Sequence, residues 1–236
     1  MNDVADKAFL TQQSYTMLGK ESKTERLKKI DDAVASRGWR SVRNGSNRDI
    51  TTYEKIDDPN VKHITHRGTD TTGKKTWKDV KADVAGIFLG QASKDKEFNK
   101  RTNRTKKILN DNPDNNFSMS GHSMGSSTAA YAMAHSKNVR DRIDRLDTFN
   151  MGMTPAFKSE IKVGQVLKRQ LKDKVHHHRV KGDVVSHNLT SSTPFGMLHE
   201  VAMKPQSRVE KNKKNLNDPE HIAEKQGRIH SLENWI

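Results

Sequence analysis

The chain has 236 residues, enough for one domain with a buried central sheet, and it contains no cysteine. Disulfides, thiolate zinc sites and cysteine nucleophiles are therefore excluded. The 43 Lys and Arg against 29 Asp and Glu leave a net charge of +14, which predicts attraction to polyanions: nucleic acid, anionic lipid, or the interior of an assembly that packs them. Met1–Lys7 is not a basic segment followed by an apolar core, and no apolar run approaches the roughly 20 residues of a membrane helix. We expect a soluble protein, made and kept inside a cell, whose membrane contact is peripheral.

Residues 2–36 have amphipathic helical periodicity, in one segment near Asp3–Leu18 and a second near Lys23–Ser36. Gly38-Trp39 and Asn44-Gly45-Ser46 break it. Ile50–Ile56 is rich in β-branched residues, and Asp57-Asp58-Pro59-Asn60 is a turn cluster. Val61–Thr65 predicts a second strand, paired with the first as a hairpin. A loop over His66–Lys75 leads to a helical stretch from about Thr76. Lys96–Asn110 predicts a charged helix closed by Asp111-Asn112-Pro113-Asp114. Arg145–Asn150 and Val175–Val180 read as strands. Val163–Leu171 fits a helix or an extended segment, and the signal after Asn188 is loop-rich. Strands alternating with helices predict an α/β fold, with a mostly parallel sheet flanked by helices.

The most informative stretch is Asn116–Ala130, which reads as strand, G-x-S-x-G turn and small-residue helix. A serine on such a turn stands clear of the backbone, with the helix N-terminus behind it. Ser123 is thus a candidate nucleophile. The loop Gly68–Lys75 has two readings. It satisfies G-x-x-x-x-G-K, yet Lys75 stands where a phosphate loop needs Ser or Thr, and no Walker-B aspartate is apparent. Alternatively, it is the loop after an early strand that supplies an oxyanion donor, with Thr69 and Met124 as the pair.

His66-Arg67-Gly68-Thr69, followed by Trp77-Lys78-Asp79-Val80 and Ala82-Asp83-Val84, resembles the "FRGT…NW…D" segment of class 3 lipases. Gly121–Gly125 resembles that family's GHSLG elbow, and Ser126–His135 its small-residue helix. The resemblance runs with gaps from about Ile50 to the C-terminus. It implies an α/β-hydrolase fold over residues 1–236, no metal or other cofactor, and a lipid ester substrate of triacylglycerol or phospholipid type. It also implies Ser123 as nucleophile and Thr69 and Met124 at the oxyanion hole. Met124, Ser126 and His66 depart from the family pattern without removing a catalytic group. We expect neither the secretion signal nor the disulfides of many fungal relatives.

The triad order in this fold is Ser, acid, His. Asp183 in Val180–Val185 follows a strand and resembles the family's N-D-I/V-V-P motif; Asp173 and Asp147 are rivals, the first before its strand and the second at the start of one. His230 resembles the base of the terminal H-x-x-x-Y/F segment, and His199 is the alternative base. His122 stands too close to Ser123 along the turn and packs or hydrogen-bonds locally. His176-His177-His178 lacks spaced partners for a metal, so a basic strand is the better reading. Ile87, Phe88 and Leu89 form an apolar patch that is either a lid over the pocket or a buried helix face; periodicity does not separate the two. The basic surface suits anionic membranes or, without a recognisable motif, nucleic acid. A virion-packaged enzyme would share these features. A catalytically inactive hydrolase fold that binds lipid or nucleic acid is the competing function.

Overall fold

The computed structural model describes residues 3–69, 96–181, 186, 194–202, 232 and 235. The chain opens with α1 (Asp3–Gln13), which runs into a 3₁₀ turn over Ser14–Leu18. α2 (Lys23–Val34) follows and starts with a capping box. Ser22 accepts the Glu25 N–H while the Glu25 carboxylate accepts the Ser22 N–H, so two orphan donors of the first turn are satisfied reciprocally. Next come β1 (Trp39–Ser41), β2 (Ile50–Lys55) and β3 (Val61–His66). After the crossover come α3 (Lys96–Asn110), β4 (Asn116–His122), α4 (Met124–His135), α5 (Lys137–Arg142) and β5 (Ile143–Phe149). The described elements end with α6 (Pro155–Glu160), α7 (Gln165–Lys172), β6 (Val175–Val180) and β7 (Met197–Val201).

Among the described residues, the seven strands form one sheet in chain order. β1, β2 and β3 pair antiparallel, and β3 to β7 pair parallel. This is the mostly parallel α/β sheet that the alternation of strands and helices predicts. Parallel pairing also has a consequence for the site. Successive parallel strands end at the same edge, so the segments leaving β3, β4 and β5 are neighbours there. In register, His66 stands beside Gly121, and His122 beside Phe149.

The two faces of the sheet are built differently. One is packed by α3 and α4 in a core that includes Phe98, Ile108, Leu109, Phe117, Met119, Ala129, Met133 and Leu146. α4 is buried from Met124 to Ala134, and its many Gly, Ser, Thr and Ala side chains let neighbouring elements approach it closely. The other face, under α1, is largely polar. Thr11 Oγ1 meets Ser120 Oγ at 2.6 Å, and His63 spans Ser118 and Ser120 at 2.7 and 2.8 Å. The Tyr53 hydroxyl donates to the Leu10 carbonyl at 2.8 Å. These buried polar groups are tied to partners across the layer, as a low-dielectric interior favours.

Several elements differ from the sequence-based expectation. β1 forms across the Gly38-Trp39 break, because Trp39 pairs with Lys55 and buries its ring. β7 forms where only loop was expected, held by parallel pairing to β6. α5 and α6 carry no strong periodicity, and each is started by a capping hydroxyl, Ser136 and Thr154. Val163–Leu171 resolves as helix α7 from Gln165 onward. β5 begins at Ile143, which moves Asp147 from the start of the strand to its interior. The helical stretch expected from Thr76 lies outside the described residues. Among the described residues, no helix is long and apolar enough to cross a membrane.

Candidate active site

Ser123 is the single residue between β4 and α4, and its backbone sits at φ 55°, ψ −123°. A non-glycine residue there carries about 1–3 kcal/mol of strain and persists only where the surroundings hold it. They do so here. The Ser123 N–H donates to the Phe149 carbonyl at 3.0 Å, and the Ser126 hydroxyl donates to the Gly121 carbonyl at 2.5 Å while accepting the Phe149 N–H at 3.1 Å. The turn also needs its two glycines. A β-carbon at Gly121 would lie 2.6 Å from the Gly125 carbonyl carbon, and one at Gly125 would lie 2.0 Å from the His66 carbonyl oxygen.

Ser123 occupies the N-cap position of α4, yet its hydroxyl caps nothing. At the other hydroxyl N-caps, Ser22, Ser136 and Thr154, the side chain accepts a first-turn N–H. A serine that takes a strained turn at a helix start and leaves its cap unmade is poorly explained as a capping residue. The first-turn N–H groups of α4, that of Met124 among them, lack helical acceptors and point toward this end.

The segment leaving β3 lies against this turn. A β-carbon at Gly68 would stand 3.4 Å from Ser123 Cβ, and Thr69 Oγ1 is 3.8 Å from Met124 Sδ. The structure therefore brings Thr69, Ser123 and Met124 together. The Tyr15 hydroxyl accepts the Gly68 N–H at 3.1 Å and stands 2.9 Å from His122 Nδ1. The local role expected for His122 is thus a bond to α1's 3₁₀ extension. Behind the loop, Arg67 donates to the Arg48 and Gly68 carbonyls, and Arg101 donates to the Arg67 carbonyl. Asp49 stands beside both guanidinium groups. Burial pushes the Asp49 carboxyl up, but the Lys100 hydrogen bond and the charges of Arg101 and Arg67 outweigh this and hold it below its usual range. Of the glycine-rich loop Gly68–Lys75, only Gly68 and Thr69 are described.

Asp183, His230, Ile87, Phe88 and Leu89 lie outside the described residues. Two neighbours of His230 are described. Leu232 packs in a cluster with Ala8 and Phe149, and the Trp235 ring is 5.3 Å from the Phe149 ring. Phe149 is the residue whose carbonyl accepts the Ser123 N–H. His199 is on β7, in register with His178. Three ladder steps of about 4.8 Å separate β7 from β4, roughly 14 Å in all. Its Nε2 is 3.0 Å from His176 Nδ1. Asp173 lies at the end of α7, where its carbonyl meets His176 Nε2 at 3.2 Å.

One cluster was not legible in the sequence. Asp147, fully buried in β5, accepts from Arg145 at 2.8 Å through each oxygen, from His178 at 2.8 Å, and faces Lys7 of α1 at 3.2 Å. Burial favours the protonated acid, but the His178 and Arg145 hydrogen bonds and the Lys7 charge reverse this and hold the carboxyl far below its ordinary range. The cluster ties α1 to β5 and β6. Its only sequence signal was a charged residue inside a strand, which read as a strand start.

No family model matches the chain, and no curated protein sequence does. Solved structures similar in fold include a lipase propeptide complex from Rhizomucor miehei, at TM-score 0.47 and 13% identity over 85% of this chain and 66% of that one. The chain thus spans just under two thirds of that protein's length. Lipase II from Rhizopus niveus follows at TM-score 0.43 and 11% identity, covering 81% of this chain and 80% of that one. A lipase from Rhizopus microsporus var. chinensis gives 0.40 and 12%, with 96% and 85% covered.

Proposed function

We propose that this chain is a serine carboxylic-ester hydrolase of class 3 lipase type, a single α/β-hydrolase domain acting on lipid esters. The observation that carries the reading is Ser123 itself: a strained residue between strand and helix, with its hydroxyl not used as a cap and with Thr69 and Met124 beside it. Ser123 attacks the ester carbonyl, and His230 takes its proton as general base. Asp183 holds the imidazole in one tautomer and stabilises the imidazolium. Thr69 and the Met124 N–H donate to the oxyanion, the alcohol leaves with the proton from His230, and water then releases the acyl group.

His230 is preferred to His199 as the base because Leu232 and Trp235 pack around Phe149, next to the serine turn, whereas His199 is three strands away. The excess positive charge favours approach to anionic lipid surfaces, each cation near the surface contributing about 1 kcal/mol. Ile87, Phe88 and Leu89 form the lid in this reading.

The test is hydrolysis of short-chain p-nitrophenyl esters and of phospholipid vesicles by wild type and Ser123→Ala. Wild type releases product and the variant falls to background. Thr69→Val loses about 10²–10³ in rate. Equal rates for wild type and Ser123→Ala would sink the enzyme reading and leave a lipid- or nucleic-acid-binding fold. Limited proteolysis around Ile87–Leu89 with and without vesicles tests the lid, and an unchanged pattern counts against it.

A further inference from the structure

The histidine run of β6 gains a partner only in the folded chain. His176 and His178 point to the same face, and His199 of the neighbouring strand stacks between them, with ring centroids 5.2 Å from His176 and 5.0 Å from His178. His178 is committed to Asp147. His176 and His199 are half-buried, and their nitrogens meet across the strand pair, Nδ1 to Nε2, at 3.0 Å. The other nitrogen of His176, Nε2, faces the Asp173 carbonyl at 3.2 Å. A carbonyl oxygen only accepts, so Nε2 carries the proton, and the lone pair of neutral His176 is at Nδ1, facing His199. An imidazole whose outer N–H is anchored to a carbonyl while its bare nitrogen faces a second imidazole has the arrangement that metal-binding histidines use.

We propose that His176 Nδ1 and His199 Nε2 form a two-imidazole site for a divalent transition-metal ion, with water completing the coordination shell. The site requires one change in the metal-free pair: the proton on His199 Nε2 moves to His199 Nδ1, the other tautomer of the neutral ring, so that both lone pairs face the ion. At metal–nitrogen distances of about 2.0–2.1 Å, two nitrogens stand about 2.9 Å apart at a right angle and about 3.3 Å apart at the tetrahedral angle. The observed 3.0 Å is nearer the first, and tetragonal geometry with nitrogen ligands is the preference of Cu²⁺ and Ni²⁺. Zn²⁺ needs the pair to open by a few tenths of an ångström. A turn of each ring about χ2, a broad torsion, aims the lone pairs at a common point, and the turn of His176 lengthens its bond to the Asp173 carbonyl. Burial is the first cause lowering both imidazoles, followed by the Arg145 charge at His176 and by His178 at His199, with Asp147 opposing in each case. Arg145 also opposes a cation, but it is paired with Asp147 and Asp3. Among the described residues no group of three or more His, Cys, Asp and Glu side chains is placed to hold a metal. The site is therefore a two-ligand chelate that staples β7 to β6, and it stands independently of the hydrolase reading.

The experiment titrates untagged full-length protein at neutral pH with CuCl₂ and with ZnCl₂, followed by calorimetry and thermal melting. One Cu²⁺ per chain binds and raises Tm, more tightly than Zn²⁺. His176→Gln and His199→Gln each weaken Cu²⁺ binding at least ten-fold, while His135→Gln, an exposed control, leaves it unchanged. Equal Cu²⁺ affinity in wild type and both variants would overturn the proposal. Circular dichroism without metal checks that the variants fold. If they do not, sub-stoichiometric Cu²⁺ is added to wild type and histidine ring signals are followed by NMR. Broadening centred on His176 and His199 supports the site, and broadening that begins at other histidines overturns it.

Discussion

The Tyr15 hydroxyl accepts the Gly68 N–H at 3.1 Å, joining the segment after α1 to the loop beside Ser123. The same oxygen is 2.9 Å from His122 Nδ1, so one phenol spans the residue before the serine and the loop opposite it. Tyr15→Phe leaves the buried Gly68 N–H without this acceptor. A loss of about 1–3 kcal/mol is expected on urea unfolding. If the hydrolase reading holds, kcat falls with little change in KM, because the substrate is still bound while the oxyanion loop is less well placed. A variant with wild-type stability and kinetics would show that the bond positions nothing.

Gly125 is a position where a single methyl group has nowhere to go. Its β-carbon would lie 2.0 Å from the His66 oxygen and 2.6 Å from the Arg67 carbonyl carbon, both backbone atoms that no rotamer change can move. Gly125→Ala must therefore push α4 away from the end of β3, opening the contact between Met124 and Thr69. Overpacking of this kind costs typically 1–3 kcal/mol or more. We expect a drop in Tm and loss of esterase activity together, whereas Gly164→Ala, with no neighbour within 4 Å, loses only the modest N-cap preference of glycine at α7 and leaves activity unchanged.

Asp147 carries three cationic or donor partners in a site with no solvent exposure. Asp147→Asn keeps the shape but removes the charge that Lys7 and Arg145 face. Breaking a buried pair from one side typically costs about 3–5 kcal/mol. Lys7→Met should cost less than Asp147→Asn, because Arg145 and His178 still satisfy the carboxylate. Chemical denaturation of both variants checks the order, and the reverse order would show that Lys7 rather than Asp147 organises the cluster.

Stability should fall on acidification from near neutrality. His63 and His66 are fully buried, and burial lowers each imidazole from 6.5 to about 3, with Lys7 adding to the effect at His63 and Arg101 at His66. Above about pH 6.5 neither state binds these protons, and the two groups contribute no pH dependence. Between about 6.5 and 3 the unfolded chain takes them up and the folded chain does not, so unfolding is favoured by up to about 1.4 kcal/mol per pH unit for each group. His63→Gln and His66→Gln should each flatten the profile of unfolding free energy against pH over that window. A wild-type profile flat from 7 to 5 would contradict the burial of both.

The strongly patterned elements were legible from local sequence pattern alone. Lys96–Asn110, β4, α4 and β6 fall where periodicity and turn residues put them, because each carries its own start or stop signal. β1 and β7 were not legible, since three and five residues with ordinary propensities become strands only when a neighbouring ladder is present to pair with. At the candidate site, G-x-S-x-G marked the serine. The meeting of Thr69 with Met124 was expected from the place of the loop after an early strand and from the resemblance, because no local signal relates residues 55 positions apart.

By itself, then, the sequence determined an α/β chain without cysteine chemistry, a strongly basic charge, and a serine between two glycines at a strand-to-helix turn. The tertiary structure decided what surrounds that serine. Parallel pairing ends β3, β4 and β5 at one edge, which sets Gly68 against Ser123 and puts Phe149 in reach of its N–H. It also decided the polar face under α1, where Asp147 meets Lys7, Arg145 and His178. Those contacts join residues far apart in the chain, and a local pattern records only what a residue does with its near neighbours.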